Sequence, residues 1–322
     1  MRKAILLYNP NSGGSRKRRL AEVESSLALL RGAGVQAELV LTPSPADADR
    51  EARRAMESGC DTVFACGGDG TIHTVLQALA MSPVALAILP MGTANALAHD
   101  LGLPMNVAAA ARASLQARPR RVALGEVKFL DLKGRQARRF FVVAAGAGVD
   151  AHLFYKLHSG TKQRMGMAAY YAQAWHLWFT HPMPRFQVEF KPSGSEEPQR
   201  ANITELMAVR IRNFGGILRE LAPGASLERD DVRLVYCRTS SRLAYLAFVA
   251  RALLRRNWRI PGIELAHSQH VSLQYAERSS APGDKSKAEP RVYVETDGEL
   301  VGTLPAEITV VPDALTLLAP AE

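Results

Sequence analysis

Cysteine is scarce in this chain: Cys60, Cys66 and Cys237 are the three present in 322 residues. An odd count at such separations offers neither a disulfide framework nor a metal-ligand spacing. The small disulfide-stapled class is excluded, and the reducing cytoplasm fits. Long apolar runs are lacking too. No stretch approaches the ~18 residues needed to span a bilayer; the longest candidates are 140–149 and the arginine-interrupted 243–254. The chain therefore reads as soluble or peripheral. Residues 4–8 are too short for a signal-peptide core and are broken by Asn9 and Pro10, so they read as a first strand. Acid is the minority charge. Against 31 Asp and Glu stand 40 Lys and Arg, a net +9, which favours an anionic partner: nucleic acid, an anionic membrane surface or a nucleotide. No recognition helix or base-stacking motif accompanies that charge, so no nucleic-acid partner is expected.

What is present is enough apolar residue, 47%, to bury a full core, and a length suited to two domains. The first third repeats one unit: a short apolar run, a turn rich in Gly, Asn, Pro or Thr, then an amphipathic helix. That is βαβ punctuation. Strands are expected at 4–8, 37–41, 62–66 and 85–89. Helical faces are carried by Leu20, Val23, Leu27 and Leu30, by Ala48, Ala52, Ala55 and Met56, and by Ile72, Val75, Leu76 and Leu79. From about Val122 the pattern changes to alternating strands with polar turns, expected at 122–129, 140–145, 186–190, 204–211, 232–237, 263–273 and 291–295. This reads as an antiparallel sheet domain interrupted by helical stretches at 153–179 and 241–257. Residues 277–289 read as a polar surface loop.

Three turns share one logic. Asn9-Pro10-Asn11-Ser12-Gly13-Gly14, Gly67-Gly68-Asp69-Gly70-Thr71 and Pro90-Met91-Gly92-Thr93-Ala94-Asn95 each follow a strand and open a helix. In an open parallel sheet such turns share the carboxyl edge, where ligands bind. Glycines let backbone approach a phosphate closely, Asp69 can hold a magnesium ion, and a hydroxyl stands at a helix start. Lys17 and the arginines after it add positive charge. The plainer alternatives are ordinary tight turns, with Thr93 serving only as a helix N-cap. Thr296-Asp297-Gly298-Glu299 lies between two strand-like runs. Asp-Gly is a strong hairpin signal, so a plain turn competes there with a catalytic carboxylate.

The three turns, in this order and spacing, resemble the signature loops of the diacylglycerol kinase catalytic-domain family. Ala145-Gly146-Ala147-Gly148-Val149-Asp150-Ala151 extends the resemblance over nearly the whole chain. It implies an α/β plus β architecture: a Rossmann-like ATP-binding domain at 1–121, to which 305–322 returns, and a β-sandwich lipid-substrate domain at 122–304, with the active site in the cleft between them. The implied activity is ATP- and Mg2+-dependent phosphorylation of a lipid hydroxyl, diacylglycerol to phosphatidic acid. Asn9, Asn11, Ser12, Gly13, Thr42, Gly67, Gly68, Asp69, Gly70, Thr71, Gly92, Thr93 and Asn95 carry over as nucleotide-site residues. Asp297 carries over as general base with Glu299 beside it, and Asp69 and Asp297 can trade that role. Asp69, and less strongly Asp231, are the metal candidates. The family's usual Asn and Glu after the second loop are replaced here by His73 and Thr74. Asn213-Phe214-Gly215-Gly216 also fits the family.

On the acceptor side, Phe154, Tyr155, Tyr170, Tyr171, Trp175, Trp178 and Phe179 interleave with Lys156, Lys162 and Arg164 in a mixture suited to a membrane interface. Tyr245, Leu246, Phe248 and Val249 with Arg251, Arg255, Arg256 and Arg259 form a second basic amphipathic stretch. Packed core and a solvated helix face are the alternatives. The implied location is cytoplasmic, peripheral on the inner face of an anionic membrane, and a homodimer is compatible. Two other readings stay open: a soluble-substrate kinase resembling NAD kinase, and a non-catalytic nucleotide- or lipid-binding module.

Overall fold

Alternation along four short strands builds the first core. In the computed structural model, which describes residues 1–13, 15–148, 183–215, 221–254, 258–276 and 291–320, these are β1 (Lys3–Tyr8), β2 (Gln36–Leu41), β3 (Thr62–Gly67) and β4 (Ala85–Pro90). Helices α1 (Arg16–Gly32), α2 (Pro45–Glu57) and α3 (Asp69–Leu79) connect them. The strands pair in parallel in the order β2-β1-β3-β4. Successive side chains of a strand point to opposite faces. Thus Ile5, Leu7, Val63, Ala65, Leu86 and Ile88 face the layer of α2 and α3. Ala4, Leu6, Phe64, Cys66, Ala87 and Leu89 face α1 and α5 (Val107–Gln116). Each large apolar side chain buried this way contributes about 1.5–3 kcal/mol. The ends are capped as their residues predict: Ser44 Oγ accepts the Asp47 amide at 3.2 Å with Pro45 at the first helical position, and Asn106 caps α5.

The remaining strands are β5 (Arg118–Leu130), β6 (Gln136–Phe141), β7 (Ala144–Gly148), β8 (Phe186–Pro192), β9 (Gln199–Ile203), β10 (Glu205–Val209), β11 (Val232–Cys237), β12 (Ile263–Tyr275), β13 (Tyr293–Thr296) and β14 (Glu299–Ala319). All their mutual ladders are antiparallel. The path β14-β13-β7-β10-β11-β12 returns to β14, and Phe141, Phe186, Phe190, Leu206 and Val271 fill its interior. β14 also runs parallel to β4, with Thr316 opposite Ala85. One mixed sheet therefore joins both patterns, and the anticipated boundaries at 121/122 and 304/305 fall inside β5 and β14. Pro305 and Pro312 both lie within β14 and do not end it; the register shifts against β5 between Thr303 and Glu307 and between Val311 and Leu315 fall at these prolines, which have no N–H to donate.

One expected strand is corrected, one strand is added and one expected helix is found. The strand foreseen at 140–145 divides at Val142 and Val143 into β6 and β7. The strand β9 was not foreseen. The helix at 241–257 is described as α6 (Arg242–Leu253). The helical stretch at 153–179, with its aromatic and basic residues, and the loop at 277–289 lie outside the described residues. No helix among the described residues is long and apolar enough to cross a membrane.

Candidate active site

Strand order 2-1-3-4 reverses direction between β1 and β3, so the turns after these two strands meet at the carboxyl edge of the sheet. The meeting is direct. Asn9 Nδ2 donates to Thr71 Oγ1 at 3.2 Å, and Ser12 Oγ lies 3.5 Å from the same oxygen. Asn9 Oδ1 also accepts the Asn11 amide at 2.9 Å, closing a local turn, while Asn11 Nδ2 reaches Pro43 O. The third turn closes on the second through backbone: Met91 N donates to Gly67 O at 2.9 Å, and a Cβ on Gly92 would lie 2.5 Å from Gly68 Cα. Gly13 holds φ +41° against Met91 O, where any side chain would clash. These glycines keep three backbones at contact distance, and the opening amides of α3, which lack intrahelical acceptors, stand beside them.

Asp69 braces this edge. Its Oδ2 accepts the Asn95 amide at 2.9 Å and its Oδ1 the Ala96 amide at 2.8 Å, at the start of α4 (Ala96–Asp100). Asn95, at φ +49°, turns its side chain back to the Gly92 amide and carbonyl at 2.8 and 3.0 Å. The N-cap position is thus held by Asn95 and not by Thr93, which is exposed on the turn. Each Asp69 oxygen keeps a second lone pair.

Across the cleft, Asp297 and Gly298 (φ +49° and +81°) form the two-residue turn joining β13 to β14. The Asp297 side chain is only 4% exposed. Its Oδ1 accepts the amides of Val143 and Ala144 at 2.8 and 3.1 Å; its Oδ2 accepts the amide of Val142 at 3.2 Å and stands 3.2 Å from His73 Nδ1. The break between β6 and β7 aims those three successive N–H groups inward. Gln77, one helical turn beyond His73, exchanges two bonds with the Phe140 backbone at 2.7 and 3.0 Å and ties α3 to that break. His73, Gln77 and the 142–144 amides were not foreseen as site groups. A backbone amide has no side-chain signature, but two polar residues four apart on an otherwise apolar helix face were a readable signal.

Asn9, Ser12, Thr42, Gly68, Gly70, Thr71, His73, Gln77, Arg139 and Glu299 line one cleft of about 1070 Å³. A Cβ on Gly70 would come within 3.0 Å of Glu299 Oε1, so the hairpin and the second turn face each other. Thr42 Oγ1, in the wall of this cleft, is buried with no hydrogen-bond partner among the described residues. Asp69, Gly67, Asn95 and Asp297 stand behind the lining as supports. The unpartnered hydroxyl and the bare glycine backbone fit a nucleotide's polar groups. For magnesium, Asp69 is the one carboxylate at the glycine turns, and no cluster of three or more metal-ligating side chains occurs among the described residues.

Asp231 lies elsewhere. Arg229 donates to it at 2.6 and 2.7 Å, Ser193 at 3.1 Å, and His267 Nδ1 stands at 3.1 Å. Burial raises its carboxyl, but these cationic donors outweigh burial and hold it below the ordinary value. Protein donors occupy both of its oxygens here. Its backbone carbonyl accepts Arg210, a fully buried guanidinium whose pKa burial lowers to about 10. The Asn213 turn packs on α4, where Asp100 Oδ1 accepts the Arg212 and Asn213 amides at 2.8 and 2.9 Å. In α6 the anticipated faces are reversed. Phe248 and Arg251 are buried, the guanidinium 4.6 Å over the ring, and Tyr245 Oη lies 2.8 Å from Thr204 Oγ1. Leu243, Val249, Leu253 and Leu254 face outward, Leu243 at 76% exposure.

The family resemblance is borne out. Residues 3–127 match the family model for the diacylglycerol kinase catalytic domain. A Staphylococcus aureus (strain bovine RF122 / ET3-1) protein named diacylglycerol kinase is 26% identical over 321 residues, 99% of this chain and 93% of that protein. A crystal structure described as a diacylglycerol kinase from Bacillus anthracis strain Sterne aligns with a TM-score of 0.67 at 19% identity, covering 98% of this chain and 96% of that one. A yeast NADH kinase crystallised with NADH aligns at a TM-score of 0.51 and 11% identity, covering 100% and 84%. At these identities the two structures speak to fold alone.

Proposed function

We propose that the chain is an ATP-dependent lipid kinase that moves the γ-phosphoryl group of ATP to a lipid hydroxyl, diacylglycerol to phosphatidic acid in the first instance. The observation that carries this reading is the meeting of the glycine turns with the 297–299 hairpin across one cleft. Phosphoryl transfer needs little covalent help; it needs a donor held in line, charge neutralised and a path for the acceptor's proton. In this reading residues 1–121 with 305–322 form a Rossmann-like ATP lobe, residues 122–304 form a sandwich-like acceptor lobe, and the reaction runs between them. The turns at 9–13, 67–71 and 91–95 hold the phosphates by backbone N–H groups, with Thr42 Oγ1 gaining its missing partner from the nucleotide. Asp69, whose two oxygens each keep a spare lone pair, would hold a magnesium ion, which would supply charge neutralisation at the phosphates. The proton leaves on the hairpin side of the cleft, where His73 and Glu299 are in the wall.

The acceptor is presented from a membrane. The outward apolar residues of α6, with Trp258 and Arg259 after it and the net +9, suit peripheral contact with an anionic cytoplasmic surface. The test is incubation with γ-labelled ATP, Mg2+ and mixed micelles holding diacylglycerol, sphingosine, phosphatidylglycerol or undecaprenol, with NAD as a soluble acceptor. Label in a lipid supports the reading and names the acceptor. Label in NAD alone transfers it to the soluble-kinase alternative, and bound ATP without label to the binding-module alternative.

A further inference from the structure

His73 occupies a position where the resemblance expects Asn, and the geometry gives it a task an Asn cannot perform. Four donors surround the Asp297 carboxylate: three backbone N–H groups and His73 Nδ1. A carboxylate offers about four lone-pair sites, so this one is filled, buried and turned toward the backbone of residues 142–144. It has no free lone pair for a substrate proton. An ionised carboxylate only accepts, so Nδ1 carries the hydrogen of this pair, and in the neutral imidazole that leaves Nε2 with its lone pair. Among the described residues no group bonds Nε2, and His73 lines the cleft that the glycine turns open onto.

We propose that His73 Nε2 is the general base for the acceptor hydroxyl and that Asp297 is its positioning residue. This rests on the kinase reading above. As the acceptor oxygen attacks the γ-phosphorus, its proton passes to Nε2, the new P–O bond forms, the bond to the β-phosphate oxygen breaks, and ADP leaves with that electron pair. Asp297, unable to reorient in its three-amide nest, fixes the tautomer and stabilises the imidazolium, which returns its proton to solvent through the open cleft. Asp297 stands behind the lining, and the charged groups that line the cleft with the imidazole are Glu299 from β14, Arg139 from β6, Asp131 and Arg135 from the turn between β5 and β6, and Asp49 and Arg53 from α2.

His73→Asn keeps an N–H able to reach Asp297 and removes the proton acceptor. The expected result is a kcat lower by about 10²–10⁴-fold, the scale of general-base catalysis, with the KM for ATP unchanged. The pH profile of kcat should differ between the native protein and the variant, which has no imidazole at this position. Imidazole ¹⁵N shifts on the native protein, a readout independent of turnover, should show Nε2 unprotonated at neutral pH. A folded His73→Asn protein with native kcat and native pH profile overturns the assignment, as does a protonated Nε2 with bare Nδ1. Failure of the native protein to label any lipid would overturn the kinase reading instead, so the two failures are distinct.

Discussion

Replacing Asp297 tests the nest directly, and the outcome can be sized from its bonds. Alanine at 297 removes the acceptor for three backbone amides in a site only 4% exposed. An unsatisfied buried donor costs about 1–3 kcal/mol, so the loss is about 3–9 kcal/mol, against a total stability of about 5–15 kcal/mol for an ordinary protein. Asparagine keeps one carbonyl oxygen, enough for the Val143 and Ala144 amides, and turns an NH2 toward the Val142 amide. Its cost should be about 1–3 kcal/mol. Urea unfolding followed by fluorescence, with the slope against denaturant checked for constancy, separates the two. Asp297→Ala should be the less stable by several kcal/mol. If Ala and Asn variants both unfold within about 0.5 kcal/mol of the native protein, the ordinary scatter of a neutral surface change, the nest is refuted as a structural element. The functional consequence is that an inactive Asp297→Ala protein reports on folding before it reports on catalysis.

Other substitutions separate contact from chemistry. Gly92→Ala would press a Cβ against Gly68 Cα and Asn95 Oδ1 at 2.5 and 2.9 Å; the expected cost is about 1–3 kcal/mol of stability and about 10²-fold in kcat/KM for ATP, while Gly32→Ala, with nothing within 4 Å, should change neither. Thr42→Val removes an unpartnered buried hydroxyl, so thermal stability should hold or rise while the KM for ATP rises about threefold to tenfold. Burial holds His267 below the ordinary imidazole value. The unfolded chain thus takes up that proton first, and stability should fall as pH drops from about 6.5 toward the folded value. The lowered carboxyl of Asp231 extends the loss as pH falls through its own folded value, and His267→Asn should remove the upper step in denaturant midpoints measured from pH 8 to 5.

Much of this was legible because side-chain pattern and backbone geometry agree. The short apolar runs at 62–66 and 85–89 are β3 and β4, buried on both faces, and the glycine turns after them sit at one sheet edge because parallel strands leave no other place. Legibility failed where structure rests on groups the sequence does not spell out. The split at Val142 and Val143 sits inside a continuous apolar run, and only the need of Asp297 for amide donors explains it. Polar β9, Gln-Arg-Ala-Asn-Ile after a proline, reads as a turn and survives as an edge strand on β8. Asn95 took the cap from Thr93 because Asp69 claims the amides of residues 95 and 96. In α6, Arg251 turned inward because the Phe248 ring offers it a face, which charge counting on a helical wheel does not anticipate.

The central claim is that ATP bound at the glycine turns gives its terminal phosphate to a lipid hydroxyl across this cleft. The most direct measurement is the ratio of ADP released to phosphate recovered in extracted lipid, on diacylglycerol micelles with Mg2+, for the native protein and for Gly92→Ala. The account predicts one lipid phosphate for each ADP, with both rates falling together in the variant. ADP and free phosphate without lipid product, or lipid phosphorylation untouched by Gly92→Ala, would contradict it.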